Sequence, residues 1–403
     1  MTDTPRGLFA YPWDVIDEGA DAVLDAVERA GLNALYITTW YHSGMFFLPH
    51  NPVRRTYFPT PGALYFQPGA WHGEHRLTPP VSDLTQDWAG FWEELSRKCS
   101  ARGIALCAWM PVLHNSGVGT AHPEVAVRNP WGDVITHTIC PSHDSVCTLV
   151  EEVVRDVAGM GIFSRILLES IEYLPLRHGY HHEVIGVPLD PDVEFLAALC
   201  FCDGCMSRMD AAGIDAAAVR AWVRETCDTA LSGAPRTAMG WAEIEAGAGG
   251  EVARYLRLRE KGTEALMQRC STIIRAADPA IRIAALDFGP LFGLGPNGRR
   301  WQNGVDLDAH LPLIDEVHPT YYFTDAEVLK AKIAEYARVL DGQVPQVPAI
   351  RAILPQTAAP GGLADQVEAI APHAGGYTFY NYSFMALSTL DWIRDATGAP
   401  ARG

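Results

Sequence analysis

The stretch Phe163–Tyr180 (FSRILLESIEYLPLRHGY) joins a short apolar run to a cluster of ionisable side chains. Ile166, Leu167 and Leu168 have the character of a strand buried on both faces. The run ends in Glu169 and Glu172, and a loop with His178, His181, His182 and Glu183 follows. The bland use of such glutamates is a salt bridge that ties a loop to the rim of a sheet. A carboxylate at the C-terminal end of a parallel strand is also where a β/α barrel puts its chemistry, and that reading makes Glu169 and Glu172 candidate catalytic groups.

Strand alternation selects among the carboxylates. Leu167 and Glu169 share one face of their strand. In the run Ile281–Phe288, Ile283, Ala285 and Asp287 share a face whose small residues suit a barrel interior. Glu169 and Asp287 are therefore expected to enter one mouth from adjacent strands, with Glu172 beyond them in the loop. A pair of carboxylates flanking a bond is the minimum for glycoside hydrolysis: one protonates the leaving oxygen, the other attacks or activates water. Adjacent strands imply a separation of roughly 5–6 Å and a retaining mechanism. In that scheme Glu169 is the nucleophile and Asp287, among apolar neighbours, the acid/base. Arg351, inside an otherwise apolar run, is the expected counter-charge that keeps Glu169 ionised, with substrate binding as its other use.

The elements that must position these groups alternate along the chain. Strand-like runs occur at 7–13, 34–40, 104–110, 163–169, 281–288, 316–322, 347–354 and 376–382, with amphipathic segments at 20–30, 88–101, 144–160, 251–277, 325–340 and 387–396. Eight such units predict an α/β fold, a (β/α)8 TIM barrel over residues 1–403 as one domain, with a mostly helical, Cys-containing insertion at 174–249 after strand 4. A doubly wound sheet would need a Gly-rich phosphate turn after the first strand, and Tyr11-Pro12-Trp13-Asp14 is not one. The strand exits then gather Trp13 and Asp14; Trp40, Tyr41 and His42; Trp109, Met110, His114 and Asn115; His318, Tyr321 and Tyr322; and Tyr380, Asn381 and Tyr382, with His181 from the loop. Aromatic faces interspersed with carboxylates and amides suit a sugar ring, whose C–H faces stack and whose hydroxyls need acceptors and donors. A small carbohydrate or glycoside is the expected partner.

Composition sets outer limits. The 403 residues carry 31 Lys and Arg against 48 Asp and Glu, a formal net charge of −17, which repels phosphate backbones and anionic lipid. Nucleic acid and membrane are thus not expected partners; association with further copies of the chain is left open. No basic segment leading into an apolar one opens the sequence, and no run of about 18 apolar residues occurs; a cytoplasmic protein is expected. Most of the nine cysteines are scattered in apolar context, as reduced buried thiols are.

Leu199–Met206 (LCFCDGCM), followed by a helical turn and Gly213-Ile214-Asp215, resembles a segment of glycoside hydrolase family forty-two β-galactosidases and of related glycosidase-like barrels. Ile171-Glu172-Tyr173 falls where the strand-four acid of those proteins would be. The stretches His122-Pro123-Glu124, Asn129-Pro130-Trp131-Gly132 and Ile139-Cys140-Pro141-Ser142 are similar to barrel-type glycosyl hydrolases. The resemblance covers residues 7–215. It implies that Cys200, Cys202 and Cys205 hold a structural zinc, with Cys140, Cys147 or a nearby His as fourth ligand, and that catalysis needs no cofactor. The chain departs from the family at strand seven, where Val347–Thr357 offers Arg351 and Gln356 but no nucleophilic carboxylate. Galactosidase activity is therefore not carried over. A nucleophile on strand four with an acid on strand five or six, as in α-amylase-like enzymes, matches Glu169 and Asp287. Two rival readings stand beside this one: a metal-dependent hydrolase or isomerase using His178, His181, His182, Glu183 and His318, and a barrel that binds sugar without turnover.

Overall fold

The computed structural model describes residues 4–178, 186–187, 189–233, 235–289 and 302–399. Eight parallel strands form its centre: β1 (Arg6–Ala10), β2 (Ala34–Thr38), β3 (Ala105–Pro111), β4 (Arg165–Glu169), β5 (Arg282–Asp287), β6 (Glu316–Pro319), β7 (Ala349–Arg351) and β8 (Tyr377–Tyr380). They pair in the order β6-β5-β4-β3-β2-β1-β8-β7. Single parallel bridges, Val317 with Gln346 and Thr320 with Ala349, bring β6 against the β7 segment. The result is a near-closed TIM barrel, as expected.

Register decides which side chains fill the barrel. Tyr36 lies beside Cys107, Cys107 beside Arg165 and Arg165 beside Arg282. Above them, Trp109 lies beside Leu167, Leu167 beside Ala284 and Ala284 beside Glu316. Arg165 donates to Glu316 at 3.0 Å, and His318 Nε2 sits 3.2 Å from the same carboxylate oxygen. The paired charges satisfy one another in the lower barrel, where an unpaired one would be costly. Tyr36 spans this layer, and Gly7 on β1 makes room for it: a Cβ on Gly7 would fall 2.4 Å from the Tyr36 ring. Gly7→Ala is accordingly expected to destabilise the fold by about 1–3 kcal/mol, read as a lower urea midpoint. Gly361→Ala, where a Cβ meets open space, should stay within about 0.5 kcal/mol.

The helices Ala20–Arg29, Trp88–Ala101, Asp144–Gly159, Glu251–Ala277, Ala326–Leu340 and Thr389–Thr397 fall where the apolar periodicity places them. Pro360–Ile370 adds a helix between β7 and β8; its Pro-Gly-Gly opening hides it in the sequence. The strands stop earlier than their apolar runs. β1 ends at Ala10 because Pro12 takes the first position of the helix Pro12–Glu18, where a missing N–H costs nothing.

Within the insertion, the helices Pro191–Ala197, Asp203–Ala211, Ala216–Leu231 and Trp241–Glu245 contribute to a small core with Val193, Leu196, Val219, Val223 and Ile244. Val252 and Leu256 at the start of Glu251–Ala277 join that core, whereas Leu266, Met267 and Ile274 of the same helix pack in the barrel core. One long helix thus fastens the insertion to the barrel. Among the described residues no helix is long and apolar enough to cross a membrane.

Candidate active site

A cleft of about 510 Å³ opens over the strand ends. Phe9, Trp109, Glu169, Leu286, Arg351 and Tyr380 line it from the strands. Tyr41, His42, His114, Phe288 and Tyr322 line it from the loops that follow, and Pro175, Arg177, His178 and Glu194 from the insertion side. A larger hollow of about 800 Å³ lies between the helices Pro12–Glu18, Ala20–Arg29 and Trp88–Ala101, away from the strand exits, so volume alone does not choose the site.

Glu169 ends β4 on the inner face and is buried. The Trp109 indole N–H donates to its Oε2. Burial pushes its carboxyl up to about 7, partly offset by that hydrogen bond. Loss of water penalises the anion, and among the described residues no cation offsets that penalty. The hydroxyls of Tyr41 and Tyr380 each lie against that of Tyr11, at 2.9 and 3.2 Å. With Tyr322 they surround the carboxyl; burial raises all of them, and the Glu169 charge adds to the rise for Tyr41, Tyr322 and Tyr380. Just beyond, Ser170 has φ +53°, a left-handed conformation that costs a non-glycine residue about 1 kcal/mol and turns the chain out of the barrel immediately after Glu169.

From the loops after the neighbouring β2 and β3, the His42 and His114 rings stack with centroids 3.6 Å apart. His178 Nε2 lies 3.2 Å from His114 Nδ1. Burial, reinforced by the neighbouring imidazoles, drives His42 down to about 3 and His114 well below its ordinary value. His42 and His114 are thus neutral hydrogen-bonding groups. Arg177 and Glu194 are ion-paired at 2.9 Å.

The structure brings together Glu169, Tyr41, His42, Trp109, His114, Arg351 and Tyr380 of the expected set. Others it places elsewhere. Asp287 is on the outer face of β5: His318, inside the barrel, lies beside Leu286 in the register, and Asp287 beside Pro319. Leu286 and Phe288 reach the cleft instead. The Asp287 carboxylate accepts from the Gly289 N–H at 2.8 Å, and burial raises it to about 7. The expected inward pairing of Glu169 with Asp287 is thereby corrected, and the retaining geometry that rested on it lapses. Arg351 does enter the cleft, but it is not what sets the charge on Glu169, whose shift comes from burial and Trp109.

Glu172 is buried beside the cleft, where Asn303 donates to it at 2.5 Å. Trp13 stacks on Tyr11 at 4.2 Å inside the core; the helix that starts at Pro12 removes it from a strand exit. Trp40 donates to the Gly62 carbonyl at 2.9 Å and anchors the long loop. Asn115 caps the helix Ser116–Ala121 by accepting from Val118, and Asn381 accepts from Ser383 in a turn. His318 lies below the cleft with Glu316. Tyr321 points outward to Gln346 at 3.0 Å, leaving Tyr322 to face the cleft. His181, His182 and Glu183 lie outside the described residues. Phe9, Arg177, Glu194, Leu286 and Phe288 were not signalled by the strand-exit pattern; the insertion contributes two of them, and no local motif marks it as a wall of the cleft.

A second constellation joins the insertion to the segment ahead of the helix Asp144–Gly159. The thiols of Cys140, Cys200, Cys202 and Cys205 are buried and lie within 4.8 Å of one another. Cys140 Sγ is 3.5 Å from Cys205 Sγ and 3.8 Å from Cys200 Sγ. Zinc–thiolate bonds of about 2.3 Å in a tetrahedron put sulfurs about 3.8 Å apart, so four such sulfurs can hold a structural metal. The three neighbouring thiols hydrogen-bond to Cys202 and hold it far below its ordinary pKa, whereas burial raises Cys140 and Cys200. Cys140 is the fourth member; Cys147 instead turns its thiol to the Pro141 carbonyl at 3.3 Å. Among the described residues this is the one group of three or more candidate metal ligands, so the cleft histidines supply no converging set.

No protein-family model matches the chain, and no curated protein matches it. Solved structures do. The glycoside hydrolase domain of PgaB (BpsB) from Bordetella bronchiseptica is 15% identical, with a TM-score of 0.58 over 98% of this chain and 97% of that one. A β-galactosidase from Halorubrum lacusprofundi is 13% identical, with a TM-score of 0.60 over 98% and 57%. The α-L-fucosidase isoenzyme 2 of Paenibacillus thiaminolyticus is 13% identical, with a TM-score of 0.59 over 98% and 49%. This chain thus spans nearly all of the Bordetella domain but only about half to three fifths of the other two. The likeness establishes a TIM barrel of the kind found in glycoside hydrolase domains.

Proposed function

We propose that the chain is a glycoside hydrolase that takes a small glycoside or oligosaccharide in the barrel-mouth cleft, with Glu169 as general acid/base. The observation that carries this is the Glu169 carboxyl itself, buried at a strand end among aromatic rings, where loss of water pushes it up to about 7. A group with that pKa holds a proton for a leaving oxygen near neutral pH and can take one back from water. Trp109 fixes one carboxylate oxygen, which leaves the other to face the glycosidic bond. Trp109, Tyr322 and Tyr380 offer ring faces for the sugar, and the neutral His42 and His114 offer hydrogen bonds. Glu194, which lines the same cleft and is ion-paired with Arg177, is the second carboxylate. We also assign a structural zinc to the four cysteines, whose role is to hold the insertion, and with it Glu194, in place.

Aryl and methyl glycosides of both anomers test the reading. On methyl glycosides, whose poor leaving group needs a proton, kcat/KM should fall as pH rises through about 7, because the acid form of Glu169 is lost. Flat activity from pH 6 to about 8.5 would remove Glu169 from the proton-donor role. Sugar binding without turnover remains the second reading, because β7 ends in Arg351 where a carboxylate would serve catalysis and Asp287 faces away. It is the correct one if sugars bind and no glycoside is cleaved.

A further inference from the structure

Resting on the reading of the cleft as a sugar site, we propose that its substrate is an anionic sugar, a uronate or an equivalent acidic glycoside, whose charged group is received by Arg351. Arg351 closes β7 and lines the cleft. Its Nε is buried without a hydrogen-bond partner, and among the described residues its guanidinium has no ion pair. Its neighbour is the Tyr322 ring, with the guanidinium carbon 5.9 Å from the centroid. Arg351 is half-buried, and a cation drawn partly out of water is usually held by a carboxylate, because leaving it uncompensated is costly. The lower barrel follows that rule with Arg165 and Glu316 at 3.0 Å, and the cleft wall follows it with Arg177 and Glu194 at 2.9 Å. Arg351 does not.

The rest of the cleft sharpens the contrast. Arg177 is already neutralised, His42 and His114 stay neutral, and Glu169 keeps its proton up to about neutral pH. Among the described residues that line the cleft, Arg351 is thus the charge left without a partner at or below neutral pH, in a chain of net charge −17. A guanidinium matches a planar carboxylate through paired N–H donors and also matches a sulfate. A neutral sugar would leave it desolvated and unmatched, a discrimination that hydrogen-bonding sites make strongly.

The test is equilibrium binding by calorimetry or ligand-observed NMR, which needs no turnover. Methyl glucuronides and galacturonides of both anomers, and methyl galactoside 6-sulfate, are compared with the corresponding methyl glucosides and galactosides. At least one anionic sugar should bind about tenfold or more tightly than its neutral counterpart, as a charge-assisted pair provides. Arg351→Gln should abolish the preference, Arg351→Lys should keep part of it, and thermal melts of both variants should match the wild type. The proposal is overturned if neutral sugars bind as well, if none of these anionic sugars binds, or if the preference survives Arg351→Gln. Whether the carboxylates or the sulfate bind tells the two acidic classes apart. Anionic sugars that bind through Arg351 but are not cleaved would retire the hydrolase reading alone. Neutral glycosides cleaved with no anionic preference would retire this proposal alone.

Discussion

Glu169→Gln is expected to lower kcat by at least about a hundredfold while making the folded chain more stable above neutral pH. The two effects have one cause. The wild-type carboxyl is raised from 4.5 to about 7 by burial, so the native state holds a proton there that the unfolded chain has released. Between those values the unfolded state binds fewer protons, and native stability falls as pH rises. Below about 4.5 the penalty is absent; above about 7 it is complete, at about 3 kcal/mol for a shift of this size. Glutamine carries no such penalty and still accepts from the Trp109 indole. The difference in stability between Glu169→Gln and wild type should thus grow from near zero at about pH 4.5 to a plateau above pH 7 to 8, in urea melts run in parallel across that range. A glutamate that merely braced the rim would behave in the opposite way, with the variant less stable at neutral pH and turnover falling only as the fold is lost. Asp287→Asn is the internal control. Its carboxyl is also raised to about 7 by burial, so it shares the sign of the stability change. It faces away from the cleft, so kcat should stay within a few-fold of wild type.

The contrast between these two carboxylates shows what a sequence can specify. The barrel was legible because the alternation of apolar runs and amphipathic helices is a local pattern, carried by eight runs and six amphipathic segments. That Glu169 ends its strand is local; its inward direction rests on the face it shares with Arg165, which meets Glu316 inside the barrel. For β5, alternation shows only that Ile283, Ala285 and Asp287 share a face; it does not say which, because both faces of a buried parallel strand are apolar. Ala284 and Leu286 are as credible inside as Ala285. The arbiter is the pairing with β6, where His318 lies beside Leu286, and that is non-local information. Tyr321 and Tyr322 fall on opposite faces for the same reason: counted in twos from His318, inside the barrel, it is Tyr322 that reaches the cleft and Tyr321 that turns to Gln346. Trp13 was misplaced because Pro12 reads as a strand exit as well as a helix start. Arg177 and Glu194 stand 17 residues apart in a loop and an insertion helix, and only tertiary packing makes them a pair.

The cysteine cluster was legible in the same partial way: Cys200, Cys202 and Cys205 match the spacing on which the family resemblance rests, and the fourth member of the cluster, Cys140, is supplied from 60 residues upstream. The pairing predicts how the insertion fails. Purified chain should carry about one equivalent of zinc, and less than about 0.2 equivalents in careful preparations would reject the site. Cys200→Ser and Cys205→Ser should each release the metal, because three thiolates leave a structural site open. Cys147→Ser, whose thiol is turned to the Pro141 carbonyl, should retain it. Bound zinc contributes about 10–16 kcal/mol in peptides that have no other core. Here the insertion already buries Val193, Leu196, Val219 and Val223 together, so the metal adds to a partial core and the loss should be smaller, a fall in melting temperature of about 5 °C or more. The damage should also be local. Tyr255 of the long helix donates to the Cys200 carbonyl, so releasing the metal loosens the insertion at the point where that helix enters it, while Leu266 and Ile274 remain in the barrel core. Limited proteolysis of the metal-free variants should therefore cut within 186–250 and leave the barrel strands protected. Cleavage spread evenly over the chain would show instead that the cysteines hold the whole fold.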